Sequence, residues 1–355
     1  MPTTDKRSCS ALLAVQLFLG LMLTGSFVPS AAAAAESVNI YSYREPGLID
    51  PLLKAFTERT GIKANVVFAQ AGLNERLAAE GQNSAADVLL TVDIARLTEA
   101  KEAGLTQPVA SKALADNIPQ KLRDRDGHWF ALTMRARVVY ASKERVKQHS
   151  ITYEELADAK WKGKICSRSG QHAYNTALIA SIIAHKGEVA AEAWLRGVKE
   201  NLAQKPAGGD REQVRDIYAG KCDIAIGNTY YMALMQTNTK NPEQQEWAKS
   251  VKILFPNAAD RGSHINVSGI ALTRHAPNKE NAIKLMEFLA SAEAQRIYAT
   301  TNNEYPVNPV VAPSDIVKSW GPLKADTLPL EAISKFRKKA SELVDKVGFD
   351  SGPSS

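Results

Sequence analysis

The chain has 355 residues, and its 44 basic and 38 acidic side chains give a formal net charge of +6 at pH 7. The basic residues are scattered rather than gathered in one tract, which argues against a nucleic-acid partner. This length exceeds what one hydrophobic core usually holds, so we expect about two domains.

Residues 1–35 have the pattern of a signal peptide. Lys6 and Arg7 precede an apolar run over residues 11–23, and Ala33–Ala35 supply an A-x-A cleavage pattern. No later apolar run is long enough to span a bilayer. We therefore expect a soluble, exported protein that is cleaved near Ala35.

The mature chain opens with alternating strand and helix patterns. Residues 38–43 and 64–69 are predicted to be buried strands, separated by a helix whose apolar residues between 48 and 56 share one face. A further strand over 86–92 continues the pattern. One open α/β lobe is predicted, which begins at residue 36.

The same pattern resumes after residue 137. Residues 138–143 are predicted to be a strand, and strands over 164–167 and 222–227 each run into a helix. A long strand over 264–274 is predicted to cross between the lobes, and a helix over 280–299 returns to the first lobe.

The predicted fold class is therefore α/β with two lobes, a hinge of two crossover strands and a cleft between the lobes. The first lobe comprises residues 36–137 plus 268–300. The second comprises residues 138–267 plus 301–355, including the C-terminal helices. The crossover strands place the hinge near residues 136–140 and 265–270.

Three tyrosines fall at predicted helix starts. Asn228 or Thr229 is suited to cap a helix whose first turn contains Tyr230 and Tyr231, and Tyr174 has the matching place in the preceding unit. Ligands of open α/β sheets gather at the carboxyl ends of the strands. Binding of a hard, highly charged cation would favour ionisation of all three phenols. The alternative is an ordinary tyrosine pair with one half-buried and one surface ring.

Cys166 and Cys222 remain after cleavage and enter an oxidising compartment as a possible pair. Each lies eight residues before a candidate tyrosine, Tyr174 or Tyr230, so a bridge would join the two strands that present them. Two separate buried thiols are the alternative.

Five stretches of the sequence resemble the periplasmic ferric-ion-binding proteins, the substrate-binding components of iron(III) ABC importers. They are GNTYYMAL, YNTALIASIIAHKG, NIYSYREP, TMRARVVYASK and NEYPVNP. The resemblance covers essentially the whole mature chain, and the tyrosine pair is its specific part. It implies a type II-like periplasmic-binding-protein fold and iron(III) held in the interlobe cleft by the phenolates of Tyr174, Tyr230 and Tyr231. It also implies a periplasmic location and delivery to an iron(III) ABC permease in the inner membrane; we expect a monomer.

The chain departs from this family just after the first strand. Many members carry a histidine there, or a histidine followed by a tyrosine, whereas this chain has Glu45 followed by proline. Glu45 could supply a carboxylate oxygen, or carbonate or another small anion could fill the place, which we favour. Arg44 and Arg135 are the candidates to balance that anion, although each is alternatively an ordinary ion-pair residue. We expect Tyr41 and Tyr43 to alternate across the first strand, so that only one faces the cleft; Tyr43 is a possible ligand.

Three functions compete at this point. The leading hypothesis is a transport receptor that binds iron(III) by lobe closure and catalyses nothing. A receptor for an oxyanion, a polyamine or thiamine would share the fold but has no need of three converging phenols. A secreted hydrolase using Glu45 or a tyrosine is the third alternative, and no acid/base pair or nucleophile constellation in the sequence supports it.

Overall fold

The computed structural model describes residues 36–354, and the predicted signal peptide with its cleavage site lies outside the described residues. Within this part of the chain, no helix is both long enough and apolar enough to cross a membrane. Short strands alternate with helices through most of its length, as the sequence predicts.

The strands of the described chain form a mixed, strongly curled sheet. They are β1 (Ser37–Ser42), β2 (Lys63–Phe68), β3 (Val88–Thr91), β4 (Phe130–Ser142), β5 (Ile165–Cys166), β6 (Ile224–Asn228), β7 (Val251–Leu254), β8 (Ile265–Leu272) and β9 (Tyr305–Pro306).

Helices connect and cover these strands. They are α1 (Pro46–Thr60), α2 (Leu73–Glu80), α3 (Ile94–Glu102), α4 (Lys112–Asn117), α5 (Ala173–Lys186), α6 (Glu188–Glu200), α7 (Asp210–Tyr218), α8 (Thr229–Gln236), α9 (Glu243–Lys249), α10 (Lys279–Ala290), α11 (Ala292–Ile297), α12 (Asp315–Ser319), α13 (Leu330–Ser334) and α14 (Arg337–Val347). Short 3-10 helices cover Gly81–Asn83, Gln120–Leu122, Glu154–Ala157, Ala159–Trp161 and Phe349–Ser351, and a π-helical turn covers Tyr298–Asn302.

The long strand β4 joins two groups of strands. The strand order is β2-β1-β3-β8-β4-β6-β5, and β7 and β9 also pair with β4. The first part of β4, up to Ala136, pairs with β8, and the part from Arg137 onward pairs with β6. In each group the strands that precede the helices run parallel, β1 with β2 and β3, and β5 with β6. Both groups therefore have the α/β pattern that brings helix starts to one sheet edge.

Two details differ from the sequence-based expectation. The strand predicted over 138–143 is only the second half of β4, because the buried run FALTMRARVVYAS continues without a break. The helix predicted over 280–299 is two helices, because Ser291 is extended and its Oγ caps α11 by accepting the Ala294 N–H at 3.3 Å. The short strand β9 pairs with Thr133 and Met134 of β4, which also pair with β8 on the other edge of β4.

The predicted bridge between Cys166 and Cys222 is present, with Cα atoms 5.8 Å apart. Cys166 ends β5, and Cys222 lies just before β6, the parallel neighbour of β5. Both residues are buried. The bridge therefore ties together the two strands that lead into the helices α5 and α8.

Candidate metal centre

The three tyrosines lie in the first turns of α5 and α8. Tyr174 is the second residue of α5, and its N–H donates to Nδ1 of the N-cap residue His172 at 3.2 Å. Tyr230 and Tyr231 are the second and third residues of α8, which follows β6 directly. Because β5 and β6 are adjacent and parallel, the two helix starts lie side by side.

The three tyrosine side chains lie close together. The hydroxyl oxygens of Tyr174 and Tyr230 are 3.2 Å apart, and the ring centres of Tyr230 and Tyr231 are 4.2 Å apart. A small octahedral cation with ligand distances of about 2.0–2.1 Å places neighbouring ligand oxygens about 2.9 Å apart. Two phenol oxygens at 3.2 Å are therefore close to the separation that one such cation requires.

The tyrosines line a cleft of about 140 Å³. All seven residues predicted for the site line this cleft, namely Tyr43, Arg44, Glu45, Arg135, Tyr174, Tyr230 and Tyr231. The other lining residues are Leu48, Val92, Arg211, Leu234, Ser268 and Glu304. Within residues 36–354, no group of three or more His, Cys, Asp or Glu side chains is placed to hold a metal ion.

The phenols of the pair hold their protons strongly. Burial raises the pKa of Tyr230 well above its ordinary value, and negative charge on Tyr174 or Tyr231 would raise it further, while Arg135 lowers it. Burial also raises the pKa of Tyr231, with added contributions from Tyr174 and Asp210. Both phenols are therefore neutral near pH 7 unless a cation displaces their protons.

Guanidinium groups surround these rings. The Cζ atoms of Arg168, Arg135 and Arg137 lie 5.3, 5.6 and 5.8 Å from the ring centre of Tyr174. The Cζ atom of Arg211 lies 4.8 Å from the ring centre of Tyr231. Such contacts are attractive for the neutral rings and become stronger once the phenols ionise.

The two predicted anion residues have different surroundings. Arg44 is buried and forms an ion pair with Glu304, and its Nη1 donates to Ser268 Oγ at 2.6 Å. Arg135 is also buried; its Nη2 donates to the carbonyl of Val92, while its Nη1 has no hydrogen-bond partner among residues 36–354. The charge of Arg44 is thus compensated by Glu304, whereas Arg135 has no carboxylate partner among residues 36–354. Within the described chain, each keeps one donor without a partner, Nε of Arg44 and Nη1 of Arg135.

The residues after the first strand are placed less favourably for a metal. Glu45 is exposed at the start of α1 and makes no side-chain capping bond. The Tyr43 hydroxyl is held by Asn74, since it accepts from the Asn74 N–H at 2.9 Å and donates to Asn74 Oδ1 at 3.2 Å. Tyr43 therefore reaches the cleft with its ring while its oxygen is bound to α2.

The expectation that Tyr41 and Tyr43 face opposite sides of the first strand is wrong. Residues two apart in a strand share a face. Both rings pack with Leu73 and Leu77 in one buried cluster, and the Tyr41 hydroxyl donates to Glu80.

The sequence analysis missed Arg211 and Glu304 as cleft residues. Arg211 lies in the first turn of α7, where the Glu212 carboxylate accepts a hydrogen bond from the Gly209 N–H at 2.8 Å. The stretch GGDRE carries that helix-start signal, so it could have placed Arg211 near the cleft. Glu304 lies far along the chain from its partner Arg44, and no local pattern identifies such a pair.

Several known proteins are similar to this chain over most of its length. The family described as bacterial extracellular solute-binding protein matches residues 52–325. Iron uptake protein A1 of Synechocystis sp. is 42% identical over 316 residues, which cover 88% of each chain. The solved Bordetella ferric binding protein is 52% identical, with a TM-score of 0.83 over 89% of this chain and 100% of that one. A solved Trichodesmium protein, IdiA (FutA), in complex with iron and citrate is 42% identical, with a TM-score of 0.84 over 88% and 99% of the two chains. These similarities confirm the two-lobed α/β fold class predicted from the sequence.

Proposed function

The chain belongs to the family of bacterial extracellular solute-binding proteins, and we propose that it is a periplasmic receptor that binds iron(III) and delivers it to an ABC permease. The relatives named for iron uptake or ferric binding cover nearly the same length of chain. They support both the cargo and the assignment to transport rather than to catalysis.

One observation supports the choice of ligands: Tyr174, Tyr230 and Tyr231 lie close together in the cleft. Three phenolates together balance the charge of iron(III) and offer hard oxygen donors. An oxyanion, polyamine or thiamine receptor gains nothing from three clustered phenols, two of which, Tyr230 and Tyr231, have a raised pKa. The three tyrosines are therefore assigned as the metal ligands.

A small anion completes the proposed site. Arg135 offers a free Nη1 donor, and Arg211 lines the same cleft from the first turn of α7. We assign the anion to this pair, because the charge of Arg44 is already compensated by Glu304. Carbonate or a small carboxylate suits two guanidinium groups, which bind planar oxygen anions in a bidentate manner. Glu45, exposed at the cleft rim, is the competing donor.

The proposed partner is the inner-membrane iron(III) permease, and the proposed form of the receptor is a monomer. The lobes are proposed to divide as the sequence suggests, with β4 passing from one to the other near residue 137. The pairing of β4 with β8 before this point and with β6 after it supports a hinge there.

The test is titration of the purified mature protein with iron(III) supplied as a citrate complex. Iron(III) phenolates absorb visible light, so one equivalent of iron should produce an orange to red colour that a chelator removes at low pH. Phosphate, spermidine and thiamine serve as parallel ligands in calorimetry. Tight binding of one of these together with colourless, iron-free protein would overturn the proposal.

A further inference from the structure

The buried carboxylate of Asp210 lies where the elements that carry the tyrosines meet. It is the first residue of α7, and its side chain is fully buried. Its Oδ2 accepts from Arg137 Nη1 at 2.6 Å and from the backbone N–H of Asn228 at 2.8 Å. Its Oδ1 accepts from Arg168 Nη1 at 3.2 Å.

Two of these contacts lead directly to the tyrosine pair and to Tyr174. Asn228 is the N-cap residue of α8, and Tyr230 lies two residues after it. Arg137 donates through Nη2 to Asn175 Oδ1 at 2.8 Å, and Asn175 follows Tyr174 in α5. Hydrogen bonds therefore connect the two helix starts from Asn175 through Arg137 to Asn228. One route passes through Asp210, and the other is direct, since Arg137 Nη1 also donates to Asn228 Oδ1 at 3.2 Å.

The third contact orders the loop before α5. Arg168 lies in that loop, and its Cζ atom is 5.3 Å from the ring centre of Tyr174. Burial raises the pKa of Asp210, but Arg137 and Arg168 lower it more, so the carboxylate stays ionised. An ionised carboxylate accepts from all three donors, whereas an amide in its place presents an NH₂ group to at least one of them.

We propose that Asp210 is a positioning residue that sets the spacing of the Tyr174 and Tyr230 phenol oxygens, and thereby the affinity for iron(III). Asp210 is not among the residues that line the cleft, so it acts through Arg137 and Asn228 rather than by contact with the cargo. The inference rests on the proposed iron(III) function.

The experiment compares Asp210→Asn with Asp216→Asn, a matched control on the same helix. Asp216 is also a buried carboxylate with three side-chain donors, Gln204, Arg215 and Lys221, but it makes no contact with the tyrosine-bearing helix starts. Loss of an outer partner of a metal ligand usually weakens metal binding by about 10–100-fold. We expect Asp210→Asn to weaken iron(III) binding by about that factor and to shift the visible phenolate band. Asp216→Asn should leave both unchanged.

The readouts separate the possible failures. Wild-type protein that binds no iron(III) contradicts the proposed function itself. Wild-type protein that binds iron(III), beside Asp210→Asn with the same affinity and band, overturns the positioning role. If Asp210→Asn does not fold, Arg168→Gln removes one of the three contacts and should give a smaller change in the same direction; an unchanged band in this variant also contradicts the proposal.

Discussion

At the residue scale, the properties of the three tyrosines depend on what shares the cleft with them. Burial raises the pKa values of Tyr230 and Tyr231, so without a cation they are ordinary neutral side chains. A trivalent cation reverses that preference, because its attraction for oxygen anions exceeds the cost of burying them. Nearby Arg135 and Arg211 stabilise the ionised form.

Replacing one of the proposed ligand tyrosines by phenylalanine keeps the ring and removes the only donor atom. We expect each of Tyr174→Phe, Tyr230→Phe and Tyr231→Phe to weaken iron(III) binding by more than the roughly 10–100-fold that follows loss of an outer partner. Equilibrium competition with a chelator measures the affinity, and absorbance measures the band.

Tyr305→Phe is the matched control for these variants. Tyr305 is as buried as Tyr230, 7% against 8% exposed, and its hydroxyl has no hydrogen-bond partner in the described chain. The Tyr305→Phe variant should bind iron(III) with the affinity and colour of the wild type. Unchanged binding in both Tyr230→Phe and Tyr231→Phe would make the pair packing residues.

Iron binding should weaken as pH falls. Each phenol whose pKa is raised must release a proton when the cation binds, so protons compete with iron more strongly at lower pH. Three phenolate ligands correspond to a release of up to about three protons per iron ion. Titration in weak buffer with a pH electrode measures this release directly. Binding without proton release would show that the phenols stay neutral and do not coordinate.

The places of the tyrosines could be predicted because helix starts are local features. CDIAIGNTYY contains its own strand, cap position and first turn within ten residues, and the stretch before Tyr174 has the same form. The pairing of Arg44 with Glu304 could not be predicted, since 260 residues separate them and neither position carries a local signal. The sequence therefore identified candidate charges without showing which one was already compensated.

At the element scale, the disulfide from Cys166 at the end of β5 to Cys222 just before β6 holds together the two strands that lead into α5 and α8. Its effect on the unfolded chain grows with the loop that it closes, here a sequence separation of 56 residues. We expect Cys166→Ser combined with Cys222→Ser to lower the free energy of unfolding by about 4 kcal/mol.

Urea denaturation of the wild type and the double variant measures this difference. Thiol titration of unfolded, unreduced wild-type protein is the control and should find no free thiol in the mature chain. Equal unfolding free energies, with the bridge intact in the wild type, would show that the link adds nothing to stability.

The elements also show where pattern reading fails. The apolar periodicity predicted a single helix over residues 280–299, because both α10 and α11 pack apolar faces against the same core. The break between α10 and α11 depends on the extended backbone of Ser291, and the spacing of apolar residues does not show it. Likewise, the sequence predicted only the part of β4 from residue 138 onward. The full strand pairs with β8 in its first part and with β6 in its second, and such pairing cannot be read from the sequence pattern.

At the scale of the whole molecule, the proposed hinge lies where β4 changes partners, between Ala136 and Arg137, with β8 beside it. If residues on both sides of the cleft supply ligands or counter-charges to the iron, iron binding favours the form in which the lobes are closed around it. Solution scattering should therefore show a smaller radius of gyration after iron(III) is added. An identical radius with full iron occupancy would argue against closure, while binding itself would stand.

The ligand assignment itself is tested most directly by an anomalous difference map from crystals of iron-loaded protein, with data collected on both sides of the iron absorption edge. The account predicts one strong peak in the cleft, within coordination distance of the hydroxyl oxygens of Tyr174, Tyr230 and Tyr231. A peak bound elsewhere, or a cleft without iron in coloured crystals, would contradict it.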